Sequence, residues 1–358
     1  SMEAGNAVKK GILAAKPDAE VWLSPLADGG EGTVDALIEG LGAEKIPVTV
    51  AGPLGEKVSC YYGFLEETKT AVMEMASAAG ITLVIKKDPL RASTYGVGEM
   101  IADALKRGCK NFMIGIGGSA TNDGGIGMLK ALGFEFFDED GNDVGEGAAA
   151  LAKITEIRTE NKNPLLSGAK FQIACDVKNP LCGKQGATYI FGPQKGVTEE
   201  QKEQVDEAMR HYADVTKESF DCDFADCEGA GAAGGLGYAF LSYLAGELIP
   251  GVELILQATG LEEKMKNADV VVTGEGRLDA QTVMGKAPAG VAALAKKYNA
   301  KVIAFAGSVA PEAKVCNRAG IDAFFPIVRG VATLEEAMKK ENAMENIAAT
   351  AEQVFRLL

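Results

Sequence analysis

A strand that runs straight into a glycine-rich loop and then a helix constrains this chain more than any other feature. The stretch Gly115-Ile-Gly-Gly-Ser-Ala-Thr-Asn-Asp-Gly-Gly-Ile-Gly127 follows the apolar run Asn111-Phe-Met-Ile114 and precedes the helical pattern of Met128, Leu129 and Leu132. Its six glycines leave many backbone N–H groups unhindered, because no Cβ blocks an approach, and the helix N-terminus that follows attracts negative charge. A purely structural turn needs fewer glycines. The pattern therefore predicts a loop that binds a phosphate or a carboxylate.

Composition sets the frame for that loop. With 358 residues, 47% of them hydrophobic, the chain can bury the cores of two domains. A net charge of −14 argues against nucleic acid or an anionic membrane surface as partner. No apolar run approaches the roughly 18 residues of a membrane span, and the N-terminus lacks a signal-peptide core, so a cytoplasmic protein is expected. The seven cysteines are an odd, scattered set, and Cys222 with Cys227 has no second pair to complete a zinc site, so reduced thiols are expected. The single histidine, His211, falls in the charged helical stretch Glu199 to Lys217, where a surface position is expected. Chemistry that needs a His-centred triad is excluded, and acid–base work falls to carboxylates or lysines.

Periodicity suggests an α/β chain of two domains. Ala4, Ala7, Val8, Gly11, Ile12 and Ala15 give an opening amphipathic helix that Pro17 ends. Val21 to Ala27 reads as a strand, and Val34, Leu37, Ile38 and Leu41 as the next helix. Ile46 to Val50, Lys57 to Leu65 and Thr70 to Met75 read as an antiparallel meander. From Asp269 the pattern alternates: strand Val270 to Thr273, helix Gly285 to Lys297, strands Val302 to Ala306 and Ala323 to Val328, then two helices. The economical reading is a parallel-sheet domain built from both chain ends, residues 1–50 and 266–358, with an inserted α/β domain at 51–265 that holds a mixed sheet. A small-molecule site is expected in the cleft between them.

Several strand ends carry candidate chemistry. Asp28-Gly-Gly-Glu-Gly-Thr33 places two carboxylates where a strand becomes a helix, as a ligand site or as an N-cap with Glu31. In the opening loop Ser119, Thr121, Asn122 and Asp123 add side-chain donors and acceptors to the backbone. The same loop nearly matches a dinucleotide fingerprint at Gly115, Gly117 and Ala120, with Asp138 after a strand at Phe134 to Phe137. The run Phe171 to Cys175 delivers Asp176, followed by Asn179; these suit metal binding or orientation of a hydroxyl, or an Asx turn before Pro180. Lys195, between Gln194 and Gly196, is a candidate phosphate-facing cation. Glu228 to Gly237 contains a literal G-x-G-x-x-G with no apolar strand before it, so close packing or a second backbone cradle is expected there. Val270 to Pro288 ends a β-branched strand in Gly274, Glu275 and Gly276 and then presents Asp279, Gln281, Thr282 and Lys286. Acidic groups for Mg²⁺ and a lysine for phosphate in one turn are what phosphoryl transfer requires. The chain contains no G-x-x-x-x-G-K-[ST], so it is not a P-loop enzyme.

Taken in order, Asp28 to Thr33, Gly117 to Gly125, Asp176 to Gly196, Gly229 to Gly237 and Gly274 to Pro288 resemble the bacterial glycerate kinase family of the type-I (glycerate 2-kinase) class. The resemblance runs from the first helix to the C-terminus. It implies transfer of the ATP γ-phosphoryl group to a hydroxyl of D-glycerate, the C2 hydroxyl giving 2-phosphoglycerate, with Mg²⁺, on a Rossmann-like domain interrupted by a second α/β domain. On that reading Gly117, Gly118, Ser119, Thr121, Asn122, Asp123, Gly274 and Gly276 meet the nucleotide. Asp28, Gly29, Gly30, Arg277, Gln281 and Thr282 meet glycerate, and Asp28, Glu275 and Asp279 serve the metal. Asp176 is the expected base, Asn179 orients it, and Lys195 or Lys286 neutralises the transferring group. The family opens with a strand and an Asp-Ser-Phe-Lys segment that these residues do not contain, so the parallel sheet is expected to lack a strand and the site a lysine. The family reading leaves open whether the protein is a homodimer. Two rivals stand beside it: an NAD-dependent dehydrogenase of a small hydroxy acid, on the Gly115 fingerprint and Asp138, and a non-catalytic sugar-acid-binding protein.

Overall fold

The computed structural model describes residues 2–24, 34, 35, 38, 41–283 and 287–358. The chain divides into two compact units, residues 1–28 with 255–358, and residues 29–254. Each contains its own sheet with helices, so the protein is a mixed α/β chain.

The larger unit is built on a six-stranded sheet of order β1-β2-β3-β4-β7-β8. Its strands are β1 (Glu44–Ala51), β2 (Lys57–Leu65), β3 (Thr70–Glu74), β4 (Asn111–Gly115), β7 (Lys170–Ala174) and β8 (Glu247–Ile249). The first three form the expected antiparallel meander, and β3, β4, β7 and β8 continue the sheet in parallel. Composition follows position. β1 is an edge strand, where the missing N–H of Pro47 costs no ladder bond. Central β3 is buried on both faces and reads as an apolar run, while β4 buries Phe112 and Ile114 fully and leaves the alternate residues half-buried. Phe112 and Phe171 are register partners on β4 and β7, and their rings stack at 4.8 Å, a cross-strand pair at the centre of the core. Residues 44–50, grouped with the chain ends by the boundary expected at 51, are in fact paired with β2 along their length.

A separate antiparallel pair, β5 (Glu135–Phe137) with β6 (Glu156–Arg158), lies outside the main sheet. Helix Glu199–Phe220 opens on a capping box made by Thr198 and Gln201 and buries Val205, Met209, Tyr212 and Ala213. His211 is not a free surface histidine: it is half-buried, with Nε2 2.7 Å from the Ile154 carbonyl.

In the other unit β9 (Val270–Leu278), β10 (Lys301–Val309) and β11 (Ala323–Pro326) form a parallel sheet of order β11-β10-β9, and helix Ala287–Lys297 packs on β9 and β10. The expected strand at Val21 to Ala27 is not seen over Val21–Ser24, and the rest of that segment lies outside the described residues. Helix Met2–Ala15 packs along Lys340–Phe355. Their backbones approach so closely at Gly11 that a Cβ there would lie 2.1 Å from the Ala348 carbonyl oxygen. Among the described residues no helix is long and apolar enough to cross a membrane.

Gly11→Ala is therefore expected to destabilise this unit by about 1–3 kcal/mol through overpacking, despite the better helix propensity of alanine. Trp22, the one tryptophan of the chain, belongs to the same unit, and its fluorescence in a urea titration would show the lowered midpoint.

Candidate functional site

The parallel part of the larger sheet brings its chemistry to one edge. β3, β4 and β7 run side by side, with Glu74 opposite Gly115 and Gly115 opposite Ala174. The loop after β4 and the segment after β7 therefore leave the sheet next to each other at its carboxyl end, where open α/β sheets bind ligands. Glu74, which the motif reading did not pick out, ends β3 at the same edge, and its carboxylate accepts the Val34 N–H at 3.0 Å. Its signal was a single carboxylate closing a buried run of Thr-Ala-Val-Met.

The glycine loop has two faces. Gly117 and Gly118 are exposed, whereas Ser119 to Leu129 are buried. Its first turn is bracketed by Ala79–Ile81, with the Ile81 N–H donating to the Gly118 carbonyl and the Ala120 N–H to the Ala79 carbonyl. Asp123, fully buried, holds the far end. Its carboxylate accepts the Thr94 N–H and hydroxyl, both at 2.8 Å, and the Gly125 and Gly127 N–H groups at 3.1 and 3.3 Å. One carboxylate thus ties the start of helix Tyr95–Lys106 to the N-terminus of helix Ile126–Ala131. Burial raises its pKa, and these four hydrogen bonds oppose the rise. Asn122 is also fully buried, and its Nδ2 donates to Thr188 Oγ1 at 3.0 Å.

Lys195 is only 2% exposed. Its amine is turned onto the loop from inside the unit, donating to Ser119 Oγ at 2.6 Å and to the Thr121 carbonyl at 2.7 Å. Burial pushes this amine down to about 7, against the pull of the Asp123 carboxylate. The glycine run at 229–237 proves to be packing rather than a second cradle. Gly234 has φ +70°, the Gly124 N–H donates to its carbonyl, and a Cβ on it would meet the Thr121 carbonyl oxygen at 2.1 Å.

Asp176 is exposed, and its Oδ1 accepts the Gly251 N–H at 2.9 Å, capping helix Gly251–Ala258. Asn179 Nδ2 donates to the Gln185 carbonyl, and its own carbonyl accepts the Gly231 N–H. Asp138 does not occupy a dinucleotide position. It follows β5, which pairs with β6 rather than lying beside β4, and its carboxylate accepts the Asp140 and Asn142 N–H groups in its own turn.

The second set of candidates sits in the other unit. Gly274, Glu275, Gly276 and Arg277 do not form a loop as expected. They continue β9, which pairs with β10 as far as Leu278, and a Cβ on Gly274 would meet the Phe305 carbonyl oxygen at 2.4 Å. Thr282, fully buried, closes the turn that follows: its hydroxyl donates to Glu275 Oε1 at 2.5 Å and accepts the Asp279 N–H at 3.2 Å. Asp279 Oδ1 accepts the Gln281 N–H, and the exposed Arg277 guanidinium is 3.8 Å from its carboxylate. Asp28, Gly29, Gly30 and Lys286 lie outside the described residues. Among the described residues no three His, Cys, Asp or Glu side chains gather as a metal cage. Glu275 and Asp279 nonetheless carry carboxylates, and Mg²⁺ is a hard cation held by one or two carboxylates together with substrate phosphates.

The depressed Lys195 pKa has a pH signature. Between about 7 and its ordinary value of 10.5 the unfolded chain holds a proton that the folded chain has released, so this group makes stability rise with pH across that window. Urea midpoints at pH 7 and pH 9 should rise in the parent protein relative to Lys195→Met. Equal pH dependence in the two would contradict the assignment.

The model of the glycerate kinase family matches residues 1–358. A glycerate kinase of Halalkalibacterium halodurans is 45% identical, covering 98% of this chain and 94% of the relative. The glycerate 2-kinase of Escherichia coli K12 is 44% identical, covering 97% and 93%. A crystal structure of a protein assigned as glycerate kinase 2 from Salmonella typhimurium LT2 superposes with a TM-score of 0.90 at 42% identity, over 99% of this chain and 93% of that one. A match along the whole chain, in sequence and in fold, means that the chain belongs to the glycerate kinase family.

Proposed function

We propose that this protein transfers the γ-phosphoryl group of ATP to a hydroxyl of D-glycerate, the C2 hydroxyl, giving 2-phosphoglycerate. The observation that carries the reading is the register of β4 and β7. Gly115 and Ala174 are partners, so an exposed pair of glycines and a carboxylate, Asp176, emerge side by side at one sheet edge. That is the pairing phosphoryl transfer needs: backbone donors for phosphate oxygens and a group to receive the hydroxyl proton. In this reading Gly117 and Gly118 meet the phosphates, Asp176 is the base, and Asn179 orients the substrate hydroxyl. The parallel-sheet unit, which joins the chain's two ends, is read as a Rossmann-like domain with the larger unit inserted.

Glu275 and Asp279 are the candidate magnesium ligands, with Asp28, outside the described residues, as the third; Lys286, also outside them, is the candidate cation for the transferring phosphate. A bound Mg²⁺ would neutralise charge on the transferring phosphate. Thr282 fixes the Glu275 carboxylate by its hydroxyl, while Arg277 and Gln281 are exposed beside it as candidates for the glycerate carboxylate. The dehydrogenase alternative loses its support once Asp138 is placed in an isolated turn.

Phosphorus NMR of the product from ATP and D-glycerate tests the reaction and the hydroxyl together. Asp176→Asn keeps an oxygen to cap Gly251 and removes the base, so kcat is expected to fall by roughly 10²–10⁴-fold with the fold intact. Near-normal turnover would refute the role. Thr282→Val removes the hydroxyl that holds Glu275 and is expected to raise the Mg²⁺ concentration for half-maximal rate by roughly 10–100-fold. A magnesium titration of the initial rate would measure it.

A further inference from the structure

Lys195 ends helix Ala187–Lys195, at the point where the chain turns at Gly196 with φ +105°. A cation at the exposed tip of an anion loop would meet substrate from outside. This amine lies within the core of the unit instead, and its two hydrogen bonds go to the loop itself, at Ser119 Oγ and the Thr121 carbonyl. Burying an amine is costly unless it is well bonded. The two bonds it makes reach across 76 and 74 residues of sequence, joining a helix end to the segment that immediately follows Gly117 and Gly118. Behind the same segment Gly234 presses against Thr121 and Asn122. The loop is thus held from the interior by a side chain and a backbone at once, leaving only its first two glycines outward.

We propose that Lys195 is a positioning residue for the anion loop: from inside the unit it ties Ser119 to the Thr121 carbonyl and so holds Gly117 and Gly118 in their outward conformation, without touching the substrate phosphates. The proposal rests on reading this loop as the triphosphate-binding element, and it adds what sets the loop's shape. Removing the amine frees the loop while leaving the sheet beneath it intact.

The test is amide hydrogen exchange on the full, unliganded chain, comparing the parent with Lys195→Met, together with the affinity for magnesium-ATP at several salt concentrations. Exchange at residues 117–121 is expected to quicken by about tenfold or more in the variant, with the amides of β4 unchanged. Magnesium-ATP binding is expected to weaken by about tenfold while its salt dependence stays that of the parent, because no phosphate-contacting charge has been lost. Unchanged exchange in the loop overturns the proposal, as does equal acceleration in β4, which marks a general loss of stability. A salt dependence shallower by about one charge overturns it too, since the ammonium would then meet phosphate directly. Should Lys195→Met fail to fold, Ser119→Ala removes one of the two partners, and its loop exchange is expected to quicken by about threefold; no change there overturns the proposal. A parent protein that does not bind magnesium-ATP would remove the kinase reading, and the exchange measurement would still decide the role of Lys195.

Discussion

The meeting of two glycine-rich backbones organises the larger unit. Gly234 lies so close to Thr121 and Asn122 that no side chain fits between them, and the Gly124 N–H donates to its carbonyl. At that distance the loop after β4 has no room to drop into the core or to adopt a wider turn. The neighbouring Ala233 takes a left-handed backbone conformation, φ 53°, unusual for a residue with a Cβ and tolerated where the surroundings leave no other path. Asp123 and Lys195 act on the loop so held. One carboxylate gathers four donors at its far end and one amine binds its near end, so its buried half is anchored from Ser119 to Gly127.

That arrangement separates two jobs that a glycine-rich motif merges. The buried portion, Ser119 to Gly127, fixes the conformation; the exposed portion, Gly117 and Gly118, is the part proposed to offer backbone to a ligand. Preorganised donors serve an anion best when they need not move to meet it, because the reorganisation has been met during folding. The parallel register then puts Asp176 beside this surface, and the helix cap it makes at Gly251 holds its carboxylate in place. In the other unit Thr282 does the same for Glu275.

The sequence was legible wherever a local rule applied. The opening helix, the antiparallel meander, β4 with its glycine loop, β7 with Asp176 at its end, and the C-terminal helices all follow from periodicity and from glycine's freedom of backbone. It was misleading where pairing decided the outcome. β9 reads as ending at the first glycine, yet β10 carries it on through Gly274, Glu275 and Gly276 to Leu278, because the ladder supplies hydrogen bonds that a glycine-rich segment does not secure alone. Asp138 fits a fingerprint by spacing, yet its strand pairs with β6 and not with the main sheet. His211 reads as a surface residue from its charged neighbours, but the Ile154 carbonyl lies across the fold to meet it.

By itself the sequence determined many of the strands and helices and the glycine loop after β4, and which residue types would stand at those strand ends, because those choices rest on backbone sterics and on patterns a few residues long. It also carried the family, through five motifs kept in order. Only the tertiary structure decided which face of the glycine loop is buried, that Lys195 turns inward, and that Glu74 joins Gly117 and Asp176 at one sheet edge. Burial and hydrogen-bond partnership depend on residues tens of positions away, so they exist only once the strands have found their neighbours.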